Sequence, residues 1–223
     1  MGRNMIRLTA WAAALVGLVL TAGEARATGK EATAPADRQA NRFARVYGAA
    51  APPLGFVRFC SRAPQSCRRD QRAVNRLHMT DEHWRLAYQI NSFINSHIAP
   101  LSDAELYGEV EYWAFPADAG DCEDYALLKQ RYLERLGFSR SALLLTVVLD
   151  EKNEGHALLT LATDEGDFIL DNRNNQIRSW DSTDYTFLKR QSQRNPRQWV
   201  SLAPGHGLAP RITAAGGKQA NEP

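Results

Sequence analysis

The stretch that most constrains this chain of 223 residues is Gly120-Asp121-Cys122-Glu123-Asp124-Tyr125-Ala126-Leu127-Leu128-Lys129. Tyr125, Leu128, Tyr132 and Leu136 recur at three- and four-residue steps, and Ala126 and Leu133 widen the same face. That period predicts an amphipathic helix, with Asp121 as N-cap and Gly137 as the stop. Cys122 then sits on the first turn. There the open backbone N–H groups and the positive end of the helix dipole favour a thiolate. A lone cysteine is more often a small apolar core residue. Three flanking carboxylates argue against a core position, because charges are rarely buried unpaired.

The first 27 residues read as an address. Arg3 and Arg7 form a basic start, residues 8–22 are apolar, and Ala25-Arg26-Ala27 is a small-x-small site. This predicts a secretory signal at 1–27, cut after Ala27, and hence a periplasmic protein. A membrane anchor would need a longer apolar run. The whole chain carries 27 basic and 25 acidic residues, and removing 1–27 leaves 24 of each. At zero formal charge there is no electrostatic case for a nucleic-acid partner.

An exported chain meets an oxidising compartment, where Cys60 and Cys67 are expected to close a small disulfide loop. A metal site at this pair is disfavoured, since no histidine or second cysteine pair lies nearby. Cys122 remains as a thiol, which strengthens its reading as a nucleophile.

Residues 28–51 read as a flexible lead-in, 52–203 as the folded domain, and 204–223 as a disordered tail. Residues 81–98 predict a helix with Thr80-Asp81-Glu82-His83 as its capped start. His83 and His97 are expected to be solvated or locally hydrogen-bonded. Residues 101–120 read as a loop, in which Trp113 and Phe115 either line a cleft or cover the core. Strands are expected over 142–149, 156–161, 168–171 and 199–202, with a turn at 164–167.

A thiol nucleophile needs a base, and the base needs an orienting group. Of the five histidines, His156 opens a strand directly after a polar turn. Asp171 closes the strand that pairs with it. A turn near 164–166 brings both to one end of the sheet, although a short slip or bulge is needed to align them. A surface histidine and a turn-forming aspartate are the ordinary alternative.

Gly120 to Lys129, Gly155-His156-Ala157-Leu158-Leu159-Thr160 and Gly166-Asp167-Phe168-Ile169-Leu170-Asp171-Asn172, with Tyr107-Gly108, Trp113 and Pro116, resemble the bacterial transglutaminase-like cysteine proteinases. The resemblance spans about 52–202. It implies an α+β, papain-like or transglutaminase-like core, with the nucleophile helix packed on an antiparallel sheet. It implies Cys122 as nucleophile, His156 as base and Asp171 as its orienter. It further implies Ca²⁺ at Asp121 and Glu123, where the alternative is that Asp121, Glu123 and Asp124 only cap the helix. A cation beside the thiol would offset carboxylates that disfavour its thiolate.

The implied activity is an exported cysteine endopeptidase acting on a surface or secreted protein such as a large adhesin. The implied regulator is an inner-membrane protein responsive to cyclic di-GMP. The rival readings are a transglutaminase, amidase or cell-wall peptidase with the same triad, and a calcium-dependent binding protein without catalysis. The Cys60/Cys67 pair sets the chain apart as a subgroup.

Overall fold

The computed structural model describes residues 42–71 and 73–205. The expected signal at 1–27, most of the lead-in and nearly all of the 204–223 tail lie outside the described residues.

Nine strands and four helices are described: β1 (Gly48–Ala50), α1 (Leu54–Arg62), α2 (Asp81–His97), β2 (Ala99–Pro100), α3 (Asp103–Tyr107), β3 (Ala119–Gly120), α4 (Cys122–Arg135), β4 (Leu143–Leu149), β5 (Gly155–Thr163), β6 (Gly166–Asp171), β7 (Asn174–Ser179), β8 (Thr186–Ser192) and β9 (Asn195–Ser201). Seven of the strands form one sheet in the order β1-β9-β8-β4-β5-β6-β7. Every pairing in it is antiparallel. The α+β expectation holds. The folded part starts upstream of Pro52, because Gly48–Ala50 pair with Trp199–Ser201 and tie the end of the expected lead-in to the sheet.

The strands follow from their side chains. β4 is a run of apolar residues with one threonine, buried along nearly its whole length. Leu143, Leu145 and Val147 face the main core and Val148 faces a second cluster with Leu158 and Phe187, so both faces are covered and no alternation is needed. Thr163 pairs with Gly166, which leaves Asp164-Glu165 as a two-residue turn. Gly166 takes φ +148° there, and a side chain would press on the Arg42 carbonyl at 3.0 Å. Leu143, Leu145, Val147, Ala157, Leu159 and Leu161 meet Ala126, Leu127 and Leu133 of α4 in the main core. Truncating Leu159 to alanine there costs on the order of 3 kcal/mol.

The buried face of α4 is wider than its period suggests. One side packs on the sheet, and Tyr125, Leu128 and Tyr132 meet Ile94 and Ile98 near the end of α2. Lys129 and Gln130 are therefore buried as well, while Leu136 is exposed. Gly137 ends the helix as expected, at φ +95°.

The stretch 101–120 is not a plain loop. Ser102 and Glu105 form a capping box that starts α3, and β3 pairs in parallel with β2. Trp113 is fully buried and packs edge-on against Phe56 and Trp199, so it covers the core. Cys60 and Cys67 are joined in a disulfide that ties α1 to the short turn of 64–67. His83 and His97 bond locally, to the carbonyls of His78 and Phe93.

Candidate active site

The corner that carries Cys122 is built from the β2–β3 ribbon and the first turn of α4. Leu101 N–H donates to the Gly120 carbonyl at 3.1 Å, and Ala99 N–H to that of Asp118 at 2.7 Å. Gly120 must lack a side chain: a Cβ would stand 2.6 Å from Asp124 Oδ2 and 2.8 Å from Asp124 Cβ. The Tyr125 hydroxyl donates to the Ile98 carbonyl and anchors the helix start to the end of α2. Asp121 occupies the N-cap position, but its side chain makes no capping bond.

Cys122 is half-buried on that first turn. Its Sγ–H donates to Glu123 Oε2 at 3.2 Å, and the sulfur accepts the Ala157 N–H at 3.3 Å. Burial pushes the thiol well above its ordinary pKa, and the charges of Glu123 and Asp121 push it further. The Ala157 N–H acts in the other direction.

His156 and Asp171 are brought together as expected, by a diagonal contact. The β5–β6 pairing runs out at Leu159–Leu170. One step further, Asp171 falls opposite Leu158, on the same face as His156. A diagonal pair of this kind is within reach of long side chains. His156 Nε2 lies 2.9 Å from Asp171 Oδ1. An ionised carboxylate only accepts, so Nε2 carries the proton. Nδ1 makes no hydrogen bond among the described residues.

Asp171 Oδ2 accepts the Tyr185 hydroxyl at 2.6 Å, Oδ1 accepts the Arg173 N–H at 3.1 Å, and its carbonyl accepts from Asn95 at 2.9 Å. Burial raises the Asp171 pKa, but the hydrogen bonds and charge of His156, with Tyr185, outweigh it and bring the group down to about 2. Cys122, His156, Gly120, Gly155 and Arg173 line one cavity of about 340 Å³.

Asp121 and Glu123 fall in a larger acidic cluster than the sequence suggests. Asp103, Asp121 and Asp124 bring carboxylate oxygens within 4.8 Å of one another, and Asp121 and Glu123 do so with the Cys122 sulfur. Glu123, Asp124 and Asp103 are buried, which corrects the expectation that the carboxylates keep this corner out of the core. Asp124 accepts the Ala114 N–H at 2.7 Å, and Asp103 accepts that of Tyr112. Asp103 Oδ1, Asp121 Oδ1, Glu123 Oε1 and Asp124 Oδ2 are buried with no hydrogen-bond partner among the described residues.

Desolvation raises all four pKa values: Asp103 above its ordinary value, Asp121 to about 6, Asp124 to about 8 and Glu123 well above the carboxylate range. Buried hard oxygens of this kind fit a divalent cation with oxygen preference. Asp103 and Tyr185 escape a sequence reading. The Ser102/Glu105 capping signal marks the helix around Asp103 and nothing of its partners.

No curated protein matches the chain at a significant level. Among solved structures, the chain is similar to calcium-bound LapG of Legionella pneumophila, with 22% identity over 56% of this chain and 73% of that one, at a TM-score of 0.47. It is also similar to EGTA-treated LapG of the same organism, with 24% identity over 53% and 67%, at a TM-score of 0.45. Residues 46–206 match the family of bacterial transglutaminase-like cysteine proteinases, BTLCP. That span covers well over half of the chain and carries the half-buried thiol and the buried histidine–aspartate pair, and so the chain belongs to the bacterial transglutaminase-like cysteine proteinase family and is a cysteine peptidase.

Proposed function

We propose that Cys122, His156 and Asp171 form the catalytic triad of an exported, periplasmic endopeptidase. The observation that carries this reading is the 2.9 Å contact of His156 Nε2 with Asp171 Oδ1, which leaves Nδ1 without a hydrogen bond among the described residues, on a side chain that lines the same cavity as Cys122. The Cys122 thiol gives its proton to Nδ1, and the sulfur attacks the peptide carbonyl carbon. As the C–N bond breaks, the proton passes to the leaving amine. Water then gives a proton to Nδ1, attacks the thioester and releases the acid, and the thiol is restored. Asp171 keeps the Nε2–H tautomer and balances the imidazolium charge. The Cys122 N–H, at the helix start, supplies one oxyanion donor.

Asp121 and Glu123, with Asp103 and Asp124, would hold Ca²⁺. The bound ion would supply positive charge beside the thiol and so lower its pKa. These residues also order the Gly120–Cys122 corner. The substrate is a surface or secreted protein such as a large adhesin, and the regulator an inner-membrane protein responsive to cyclic di-GMP. The family resemblance supports both assignments.

The test uses the exported surface fraction of the host as substrate, with calcium present. Cys122→Ala and His156→Ala each abolish cleavage, and the double variant is no worse, because groups that act as one unit lose activity once. Asp171→Asn slows cleavage by about 10⁴-fold. Substantial cleavage by folded Cys122→Ala protein would remove the triad and reopen the binding-protein reading.

A further inference from the structure

We infer that Arg173 is a specificity residue that selects an acidic side chain close to the scissile bond. The inference rests on the peptidase reading and names its substrate class.

Arg173 lines the same cavity as Cys122 and His156. Its position is set twice. Its backbone N–H donates to Asp171 Oδ1 at 3.1 Å, which ties its backbone to the orienting aspartate of the proposed triad. Its Nη1 donates to Asp150 Oδ2 at 2.8 Å. The Asp150 side chain is only 2% exposed, whereas that of Arg173 is 43% exposed. Asp150 Oδ1 is taken up by the backbone N–H groups of Lys152 and Glu154, each at 2.9 Å. The carboxylate is therefore a built-in fastener for one corner of the guanidinium. The other donors, Nε and Nη2, make no hydrogen bond among the described residues.

A guanidinium presents its donors as a planar fork that matches a carboxylate. Here the fork is held in place before any ligand arrives, so little side-chain entropy remains to be lost on binding. The other charged groups of the lining are Asp121 and Glu154. Asp121 is taken up in the acidic cluster, and Glu154 is tied down through its backbone N–H, which donates to Asp150 Oδ1. A substrate carboxylate thus has one anchored cation to meet, two residues along the chain from Asp171. Gly155 stands in the same lining and adds no side chain to it.

The test is a library of short peptides carrying Asp, Asn or Lys at each position in turn. Wild-type protein with calcium is expected to cleave the Asp peptides with kcat/KM roughly tenfold above their Asn counterparts, at one position within three residues of the cut. In Arg173→Met the Asp/Asn ratio falls to about one, and in Arg173→Glu the preference passes to Lys. The ratio compares two substrates on one variant, so a role of Arg173 confined to holding the turn would leave it unchanged.

Binding of the same library to Cys122→Ala protein, with and without Arg173→Met, reads recognition apart from turnover. Loss of Asp-peptide binding on Arg173→Met supports the inference even where no peptide is cut, and then the peptidase reading alone fails. Cleavage with an Asp/Asn ratio that Arg173→Met leaves unchanged overturns the inference alone. Failure of Cys122→Ala to distinguish Asp from Asn peptides overturns it as well.

Discussion

The backbone N–H of Ala157 donates to the sulfur of Cys122 at 3.3 Å. The strand that delivers His156 thus also touches the nucleophile it is proposed to serve. One residue supplies the proposed base, and the next supplies a donor that favours the thiolate. Against that donor stand burial and the charges of Glu123 and Asp121. The balance at the sulfur is accordingly sensitive to the acidic cluster.

That cluster sets a pH dependence of stability. Asp121 and Asp124 have folded pKa values of about 6 and about 8, above the ordinary 3.8. The folded protein therefore binds more protons than the unfolded chain between about pH 4 and about pH 8, and stability falls as pH rises through that window. In EGTA the thermal midpoint is expected to drop across it. Calcium restores the midpoint most strongly at the alkaline end, and Asp124→Asn flattens the EGTA curve. Calorimetric titration with Ca²⁺ gives the matching binding isotherm, weakened in Asp121→Ala and Glu123→Ala. A midpoint that ignores both calcium and EGTA would remove the cation site.

Tyr185→Phe isolates one hydrogen bond. The ring stays beside His156, at a centroid distance of 5.6 Å, and the 2.6 Å bond to Asp171 is lost. A bond to a charged group of this kind corresponds to roughly tenfold or more in kcat/KM. Asp171 has a folded pKa of about 2 against 3.8 ordinarily. Its stabilisation is present above about pH 4 and is lost as pH falls toward 2. Removing the phenol raises that pKa, so acid unfolding followed by circular dichroism should begin at higher pH. A variant with wild-type kcat/KM and wild-type acid unfolding would show that the phenol does not support Asp171.

Lys129 offers a gain in stability. Its ammonium is fully buried without a hydrogen-bond partner among the described residues, and burial lowers its pKa to about 7. Below about pH 7 the lysine is charged in both states, and the folded state carries the whole desolvation cost. From about 7 to 10.5 the unfolded chain binds more protons, and stability rises with pH. Lys129→Met should therefore stabilise the fold most at and below neutral pH, by on the order of 2 kcal/mol. That corresponds to about 4–8 °C in the thermal midpoint for a domain of this size. A midpoint lowered at neutral pH would show that the charge is held by a favourable contact.

The positions of Cys122, His156 and Asp171 were legible because each sits where an element with a clear period begins or ends. β8 was not. Lys189 and Arg190 lie buried in it, the first on the Ala51 carbonyl at 3.0 Å and the second on Asp167 at 2.7 Å. Buried charges break the apolar pattern that marks a strand. Tyr185 precedes β8, so its place depends on the pairing of Leu149 with Thr186 and on a bulge at Val147/Val148. Asp103 reaches the acidic cluster through the β2–β3 ribbon, a two-residue pairing with no period to read. Lys129 lies off the stripe of Tyr125, Leu128 and Tyr132, and it is buried because a helix packed on two sides buries more than one stripe.

Asn91 and Asn95 of α2 reach across to the turn after β6. Asn91 donates to the carbonyls of Asn174 and Asn175 at 3.0 and 3.1 Å, and Asn95 to that of Asp171 at 2.9 Å. The turn that carries Asp171 is thereby clamped by a helix some eighty residues earlier in the chain. Such a clamp makes the two segments one cooperative unit: the turn cannot open without releasing α2. Amide hydrogens of the turn, exposed though some of its side chains are, should exchange with solvent at the pace of the helix interior. Asn91→Ala should uncouple the two rates and leave the helix the slower.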